Sequence, residues 1–102
     1  MSYDMHFHAT GTQPLPDSGS PNYPNQLIAA RMSPPISGTA PWAVDVYDGV
    51  DATGRLIWRM ASGFNTAPDS TVIGADGIVL TSGNVFVNYT SGSGQDVFLV
   101  VK

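Results

Sequence analysis

Cysteine is absent from this sequence, and so is glutamate. Without cysteine there is neither a disulfide frame nor a thiolate metal cluster, so stability has to come from packing and from burial between subunits. The missing glutamate argues against helix. Surface helices are normally filled with Glu, Lys, Arg and Ala, whose unbranched side chains lose little rotamer freedom there, whereas all eight acidic residues here are Asp. Cations are scarce as well: Arg31, Arg55, Arg59 and Lys102 stand against those eight carboxylates, for a formal net charge of −4. No basic stripe is available to neutralise a phosphate backbone or an anionic bilayer surface, so neither nucleic acid nor membrane is an expected partner. Long apolar runs are lacking too, since nothing approaches roughly eighteen consecutive apolar residues. The opening Met-Ser-Tyr-Asp-Met-His has no cationic and no apolar leader region, and the expectation is synthesis in the cytoplasm.

Polar positions go instead to Ser, Thr, Asn, Asp and Gly, with eleven Gly and eight Pro punctuating short apolar runs. That is strand-and-turn chemistry. At 102 residues the chain reads as a single domain over 1–102. Tyr3, Met5, Phe7 and Ala9 alternate with Asp4, His6, His8 and Thr10, which predicts a first or edge strand. Residues 11–25 hold four prolines in fifteen positions, which excludes helix and most of a strand and predicts a Pro-rich loop or arm. Gln26 to Ser33 reads as a strand closed by Pro34 and Pro35. Trp42 to Met60 reads as a hairpin around Gly49–Gly54, with Trp42, Val44 and Val46 on one face and Leu56, Trp58 and Met60 on one face of the return strand. Short β-rich runs follow at Ser70–Gly74, Gly77–Thr81, Asn84–Thr90 and Asp96–Val101. The last two read as a second hairpin, with Val97–Val101 central because it is apolar on both faces. About seven to eight short strands predict an all-β fold, an antiparallel β-sandwich or jelly roll.

Catalytic chemistry finds little support in the residues. His6-Phe7-His8 on a strand sets two imidazoles on one face about 7 Å apart, and Asp4 shares that face. With no Cys or Glu to complete a site, the pattern reads as the polar side of a strand, and no metal or cofactor is expected. Asp45, Asp48 and Asp51 recur every third residue but match no calcium loop, and they read as solvated hairpin aspartates. The aspartates fall almost wholly in turns, where water keeps them ionised, so a general-acid carboxyl is not expected. No glycine-framed nucleophile lies near either histidine, Gly92-Ser93-Gly94 leads into no helix that would hold a phosphate, and the chain is not read as an enzyme. Trp42, Trp58, Tyr47 and Tyr89 are the side chains with which a glycan-binding module would stack on sugars, although the apolar area of tryptophan is more often buried. Asn88-Tyr89-Thr90 matches a glycosylation pattern, which carries no weight without a secretory leader.

From Trp42 onward the order of features resembles the small β-sandwich proteins of tailed-bacteriophage virions, in particular head decoration or cement proteins. The carrying stretches are Trp42-Ala-Val-Asp-Val-Tyr-Asp-Gly, Asp51-Ala-Thr-Gly-Arg-Leu-Ile-Trp, Ala75-Asp-Gly-Ile-Val-Leu and Ser82-Gly-Asn-Val-Phe-Val-Asn-Tyr-Thr-Ser-Gly. The resemblance implies a structural virion protein on the capsid surface, made in the host cytoplasm, bound to the major capsid protein and to neighbouring copies as a dimer or trimer. A tail- or fibre-associated subunit and a non-catalytic carbohydrate-binding module are the alternatives. The Pro-rich segment, which the resemblance does not explain, is expected to lie over a neighbouring subunit, since a stiff chain loses little entropy on being ordered. Leu15, Tyr23 and Trp42 are the candidate interface anchors.

Overall fold

The computed structural model describes residues 3–17, 19–21, 23–33, 42–62, 69–72, 77–91 and 96–102, and within them all side chains except those of 32, 33, 42, 60–62, 69–72, 90 and 91. Among the described residues there is no helix. These residues form nine strands: β1 Tyr3–Phe7, β2 Gly11–Pro14, β3 Gln26–Ser33, β4 Trp42–Asp48, β5 Arg55–Ser62, β6 Asp69–Val72, β7 Ile78–Val79, β8 Asn84–Ser91 and β9 Asp96–Val101. They make two antiparallel sheets. One runs β1-β9-β3-β6, with the two-residue β7 also on β3, and the other runs β2-β8-β4-β5.

With β7 set aside, the chain is one long hairpin closed by the β4–β5 turn. β4 pairs with β5, β3 with β6, β2 with β8 and β1 with β9. Successive rungs belong to alternate sheets, so the hairpin is rolled around a core instead of lying flat. Period-two alternation supplies that core. Val97, Leu99 and Val101 of β9 and Val44, Val46 and Val87 of the other sheet are fully buried, joined by Met5, Phe7, Leu27 and Val85. Each such side chain contributes about 1.5–3 kcal/mol through burial. The result is a sandwich-like all-β domain.

Two opposite ends can be told apart by their hydrogen bonds. At one, Leu15 N donates to Gly83 O at 2.9 Å, Leu80 N to Asn25 O at 2.7 Å, Lys102 N to Gln26 O at 2.9 Å and Gly49 N to Asn84 O at 3.3 Å. At the other, Tyr89 of β8 donates its backbone N–H to Thr10 Oγ1 at 3.0 Å and its hydroxyl to Phe7 O at 3.5 Å, tying the β1–β2 corner across the sheets.

The sequence-based expectations change in four places. First, β8 and β9 are not a hairpin: β8 lies between β2 and β4, and β9 lies between β1 and β3. Both strands are apolar enough to be central, and two sheets offer two centres. β9 is central as its double-sided apolarity predicts. Second, the first strand stops at Phe7 and the chain re-enters the other sheet at Gly11. Third, the Pro-rich stretch begins as strand β2, an edge strand that ends at Pro14, where a missing N–H costs no ladder bond. Fourth, a bulge on β5 pairs Val46 with Trp58 and Tyr47 with Leu56. The extra residue, Ile57, packs with Trp58 against the core, and Leu56 turns to the outer face, 44 % exposed. The expected closure of β3 by Pro34 and Pro35 lies outside the described residues.

Candidate functional site

The first candidate is a cluster at the β1–β9 edge. The β1–β9 register sets His6 opposite Phe98 and Phe7 opposite Val97, so one further step sets His8 opposite Asp96, with His6 diagonal to it. Cross-strand neighbours on one face are within side-chain reach. His6 Nε2 and His8 Nδ1 both donate to Asp96 Oδ1, at 2.8 and 2.9 Å. The three ligating atoms lie within 4.8 Å of one another, and among the described residues this is the group of such side chains with metal-binding proximity. The hydrogen bonds from His6 and then from His8 hold the Asp96 carboxyl below the usual aspartate value, because each donor favours the ionised form. All three side chains are open to solvent, at 52, 71 and 39 % exposure for His6, His8 and Asp96.

The supports of this cluster are built into the sheet. The His6 ring stacks on Phe98 with centroids 4.7 Å apart and planes 9° from parallel, and the Arg31 guanidinium sits 4.5 Å from the same Phe98 centroid. β1 and β3 flank β9, so one row of the outer face reads His6, Phe98, Arg31. Gln13 Nε2 donates to His6 O at 2.5 Å. Asp4, placed by the sequence on the same strand face, stays outside the cluster, and the third member is Asp96, ninety positions from His6. Only the cross-strand register reveals that partner.

A second centre is Asp48, whose side chain is 2 % exposed. Its carboxylate accepts from Thr81 N at 2.9 Å, Thr81 Oγ1 at 3.0 Å, Ser82 N at 3.0 Å and Arg55 Nη2 at 3.4 Å. Burial pushes the carboxyl up, but the bonds from Thr81 and Ser82 together outweigh it, and Asp48 is held below the usual value. Arg55 Nη2 also donates to Val79 O at 2.5 Å. Asp48 is thus a clasp joining the β4 end, the β5 start and the 79–82 segment.

The third feature is the outer face of the β2-β8-β4-β5 sheet. The registers align Thr12, Phe86, Tyr47 and Leu56 in one row across four strands. Tyr47 and Phe86 rings meet at 5.9 Å. In a neighbouring row the Arg59 fork grips Asp45, Nε to Oδ1 at 2.6 Å and Nη2 to Oδ2 at 3.2 Å. That hydrogen bond, then the Asp45 charge, raises the Arg59 pKa.

The remaining sequence candidates separate. Asp45, Asp48 and Asp51 do not converge: Asp45 faces Arg59, Asp48 enters the 79–82 clasp, and Asp51 accepts from Thr53 N at 2.9 Å and from the Thr53 hydroxyl in its own turn. Nor are they all solvated, since Asp45 and Asp48 are buried. Among the expected interface anchors, Leu15 is 1 % exposed and spent in the core. Tyr23 is half-buried against that core and lines a cleft of about 530 Å³ with Tyr3, Asp17, Asn25, Gln26 and Lys102. The Trp42 side chain lies outside those described. Trp58 and Tyr89 are half-buried and pack against the core. No helix among the described residues is long and apolar enough to cross a membrane. Comparison of the chain with family models, curated proteins and solved structures finds no match.

Proposed function

We propose that this chain is a non-catalytic structural protein of a tailed-phage particle, a head decoration or cement subunit that sits on the major capsid protein and braces neighbouring subunits. The observation that carries the reading is the strand order. Rungs 1–9, 2–8, 3–6 and 4–5 that alternate between two antiparallel sheets support reading the sandwich as a jelly roll, an architecture recurrent in viral capsid and lectin domains. The outer row Phe86, Tyr47, Leu56, with Arg59 beside it, supports the reading further. Aromatics and arginine are enriched in interface cores while Lys and Glu are depleted, and this chain has one Lys and no Glu.

In this reading the Phe86–Tyr47–Leu56 row packs on the shell, Trp42 and Tyr23 add contacts, and residues 16–24, anchored by Leu15 and Asn25 on either side, lie as a Pro-rich strap toward a neighbour. Copies associate as a dimer or trimer on the capsid surface after synthesis in the host cytoplasm. A specific contact of this kind buries about 800 Å² per partner. The test is to count this chain against the major shell protein by quantitative mass spectrometry of gradient-purified particles. Copy number comparable to the shell subunit is the expected result, and Leu56→Asp should weaken attachment at least about tenfold. A few copies per particle would move the assignment to tail or fibre, and absence from particles would discard it.

A glycan-binding reading draws on the cleft beside Tyr3 and Tyr23, where two tyrosines meet the amides Asn25 and Gln26. Tyrosine faces with nearby amide donors suit a sugar ring. Titration of the isolated protein with oligosaccharides, followed by intrinsic fluorescence, separates it from the assembly reading.

A further inference from the structure

We propose that His6, His8 and Asp96 form a binding site for a divalent transition-metal ion of the zinc class. Three protein ligands come from two paired strands, and the remaining coordination positions open to water.

The donor set selects the metal. Two imidazole nitrogens and one carboxylate oxygen suit zinc, copper, nickel or cobalt, whereas calcium and magnesium call for a larger shell of oxygens. Geometry fits next. His6 Nε2 and His8 Nδ1 already stand 2.8 and 2.9 Å from Asp96 Oδ1. Ligands about 2.0–2.2 Å from a tetrahedral zinc lie about 3.3–3.5 Å apart, so an ion enters if each imidazole–carboxylate pair opens by about 0.5 Å and the two imidazole nitrogens, within 4.8 Å of each other, settle to the same spacing. Exposed side chains can make that adjustment with no change in the strands. Each imidazole now donates from the nitrogen that would ligate. The ion therefore takes the place of two N–H groups held against one carboxylate oxygen. Each ligating nitrogen gives its proton up through water, to the ring's other nitrogen where that is free and otherwise to solvent, and the Asp96 charge that attracted the N–H groups serves the cation equally.

Preorganisation distinguishes this cluster from a chance meeting of surface side chains. Phe98 fixes the plane of His6, Arg31 packs on Phe98, and the carbonyls of His6 and Phe7, the two residues before His8, are both engaged, by Gln13 and Tyr89. Shells that orient metal-ligating histidines in this way raise affinity by holding the ring before the ion arrives. The site also has a mechanical consequence. Among the described residues β1 is an edge strand paired in its sheet with β9 alone, and an ion bridging His6 and His8 to Asp96 clips that edge to a central strand of its sheet, stabilising the fold by mass action.

The experiment is zinc titration of tag-free full-length protein by calorimetry, with thermal melting and nitrogen-15 spectra of the imidazole rings recorded alongside. The expected result is one zinc per chain, a raised melting temperature, and large shifts confined to the ring nitrogens of His6 and His8. Magnesium and calcium should give neither heat nor shift. Asp96→Asn and His8→Ala should each weaken zinc binding by at least about tenfold, while Asp4→Asn leaves it unchanged. Both ligand variants alter exposed side chains, and their zinc-free melting temperatures check that the fold is intact. If saturating zinc produces no heat, no melting shift and no change at the ring nitrogens, the site does not exist. Binding undiminished by Asp96→Asn and His8→Ala would place the ion elsewhere and overturn the assignment equally.

Discussion

At one end of the domain Asp48, its side chain 2 % exposed, accepts from the Thr81 and Ser82 amides, the Thr81 hydroxyl and Arg55. At the other, Asp96, 39 % exposed, accepts from two imidazoles. Hydrogen-bond donors hold both carboxyls below the usual aspartate value, yet the two carboxylates differ in what they can still do. Backbone amides cannot leave Asp48 without unfolding the 79–82 segment, so that carboxylate is committed to the fold. Imidazoles on an exposed edge can exchange a proton for a cation, so Asp96 keeps a binding capacity. The lowered pKa alone does not distinguish a clasp from a site. Burial and the nature of the donors do.

The sharpest way to break the clasp end is at Gly77. Its φ is +61°, and a Cβ there would stand 2.3 Å from Leu27 O and 2.9 Å from the Ile28 side chain. Both the backbone conformation and the space exclude a side chain. Gly77→Ala should cost about 3–4 kcal/mol in chemical denaturation, by backbone strain plus displacement of β3 from its ladder. At Gly19 a Cβ would meet nothing within 4 Å, and Gly19→Ala should stay within about 0.5 kcal/mol of the parent. Equal losses at the two positions would contradict the close approach of residue 77 to β3.

The two carboxylates themselves come next in size. Asp48→Ala leaves two part-buried amides and a hydroxyl without their acceptor and should cost about 1–2 kcal/mol at neutral pH. Asp96→Ala, in the absence of metal, should cost no more than about 0.5 kcal/mol. The pH dependence has a defined sign. Asp48 titrates below its ordinary value of 3.8 when folded. Its contribution is therefore complete above that value and is lost as pH falls through the folded pKa. The gap in stability between parent and Asp48→Ala should be constant above about pH 5 and narrow in more acidic solution. A gap independent of pH down to acid unfolding would mean that folding leaves the Asp48 pKa where it is in the unfolded chain, and would contradict the downward shift.

Much of the fold was legible in the sequence, and the misreadings have physical causes. The absence of helix among the described residues follows from a polar alphabet of Asp, Ser, Thr, Asn and Gly, and the β4–β5 hairpin from alternation around Gly49–Gly54. Strand order was not legible, because Ser91–Asp96 is as compatible with a crossing between sheets as with a hairpin. The bulge at Ile57 was not legible either: alternation from Arg55 to Met60 looks regular, and only pairing with β4 shows two residues opposing one. Of the candidate site, His6 and His8 could be found by their spacing alone. Asp96 could not, since its neighbourhood depends on β1 pairing with a strand at the far end of the chain. Burial of Asp45 and Asp48 was missed because a carboxylate beside a turn is normally wet. What makes burial tolerable is Arg59 for the first and the 81–82 amides for the second, partners fourteen and more positions away.

The smallest effect tests whether the two ends are electrically separate. Tyr89, near the Asp96 end, has its hydroxyl pushed up to about 12, by burial first and by the Asp96 charge second. A phenol whose folded pKa is raised contributes stability that is intact below its ordinary value of 10.0 and is lost as pH rises through the folded value. Ultraviolet titration of the four tyrosines should therefore show one late phenolate, absent in Tyr89→Phe, which should itself cost about 1 kcal/mol at neutral pH. Asp96→Asn should move that late step toward lower pH. Asp48→Asn, acting from the opposite end, should leave it in place. A late step insensitive to Asp96→Asn would assign the whole shift to burial, and a step that moved equally with Asp48→Asn would show that charge at the clasp reaches across the core.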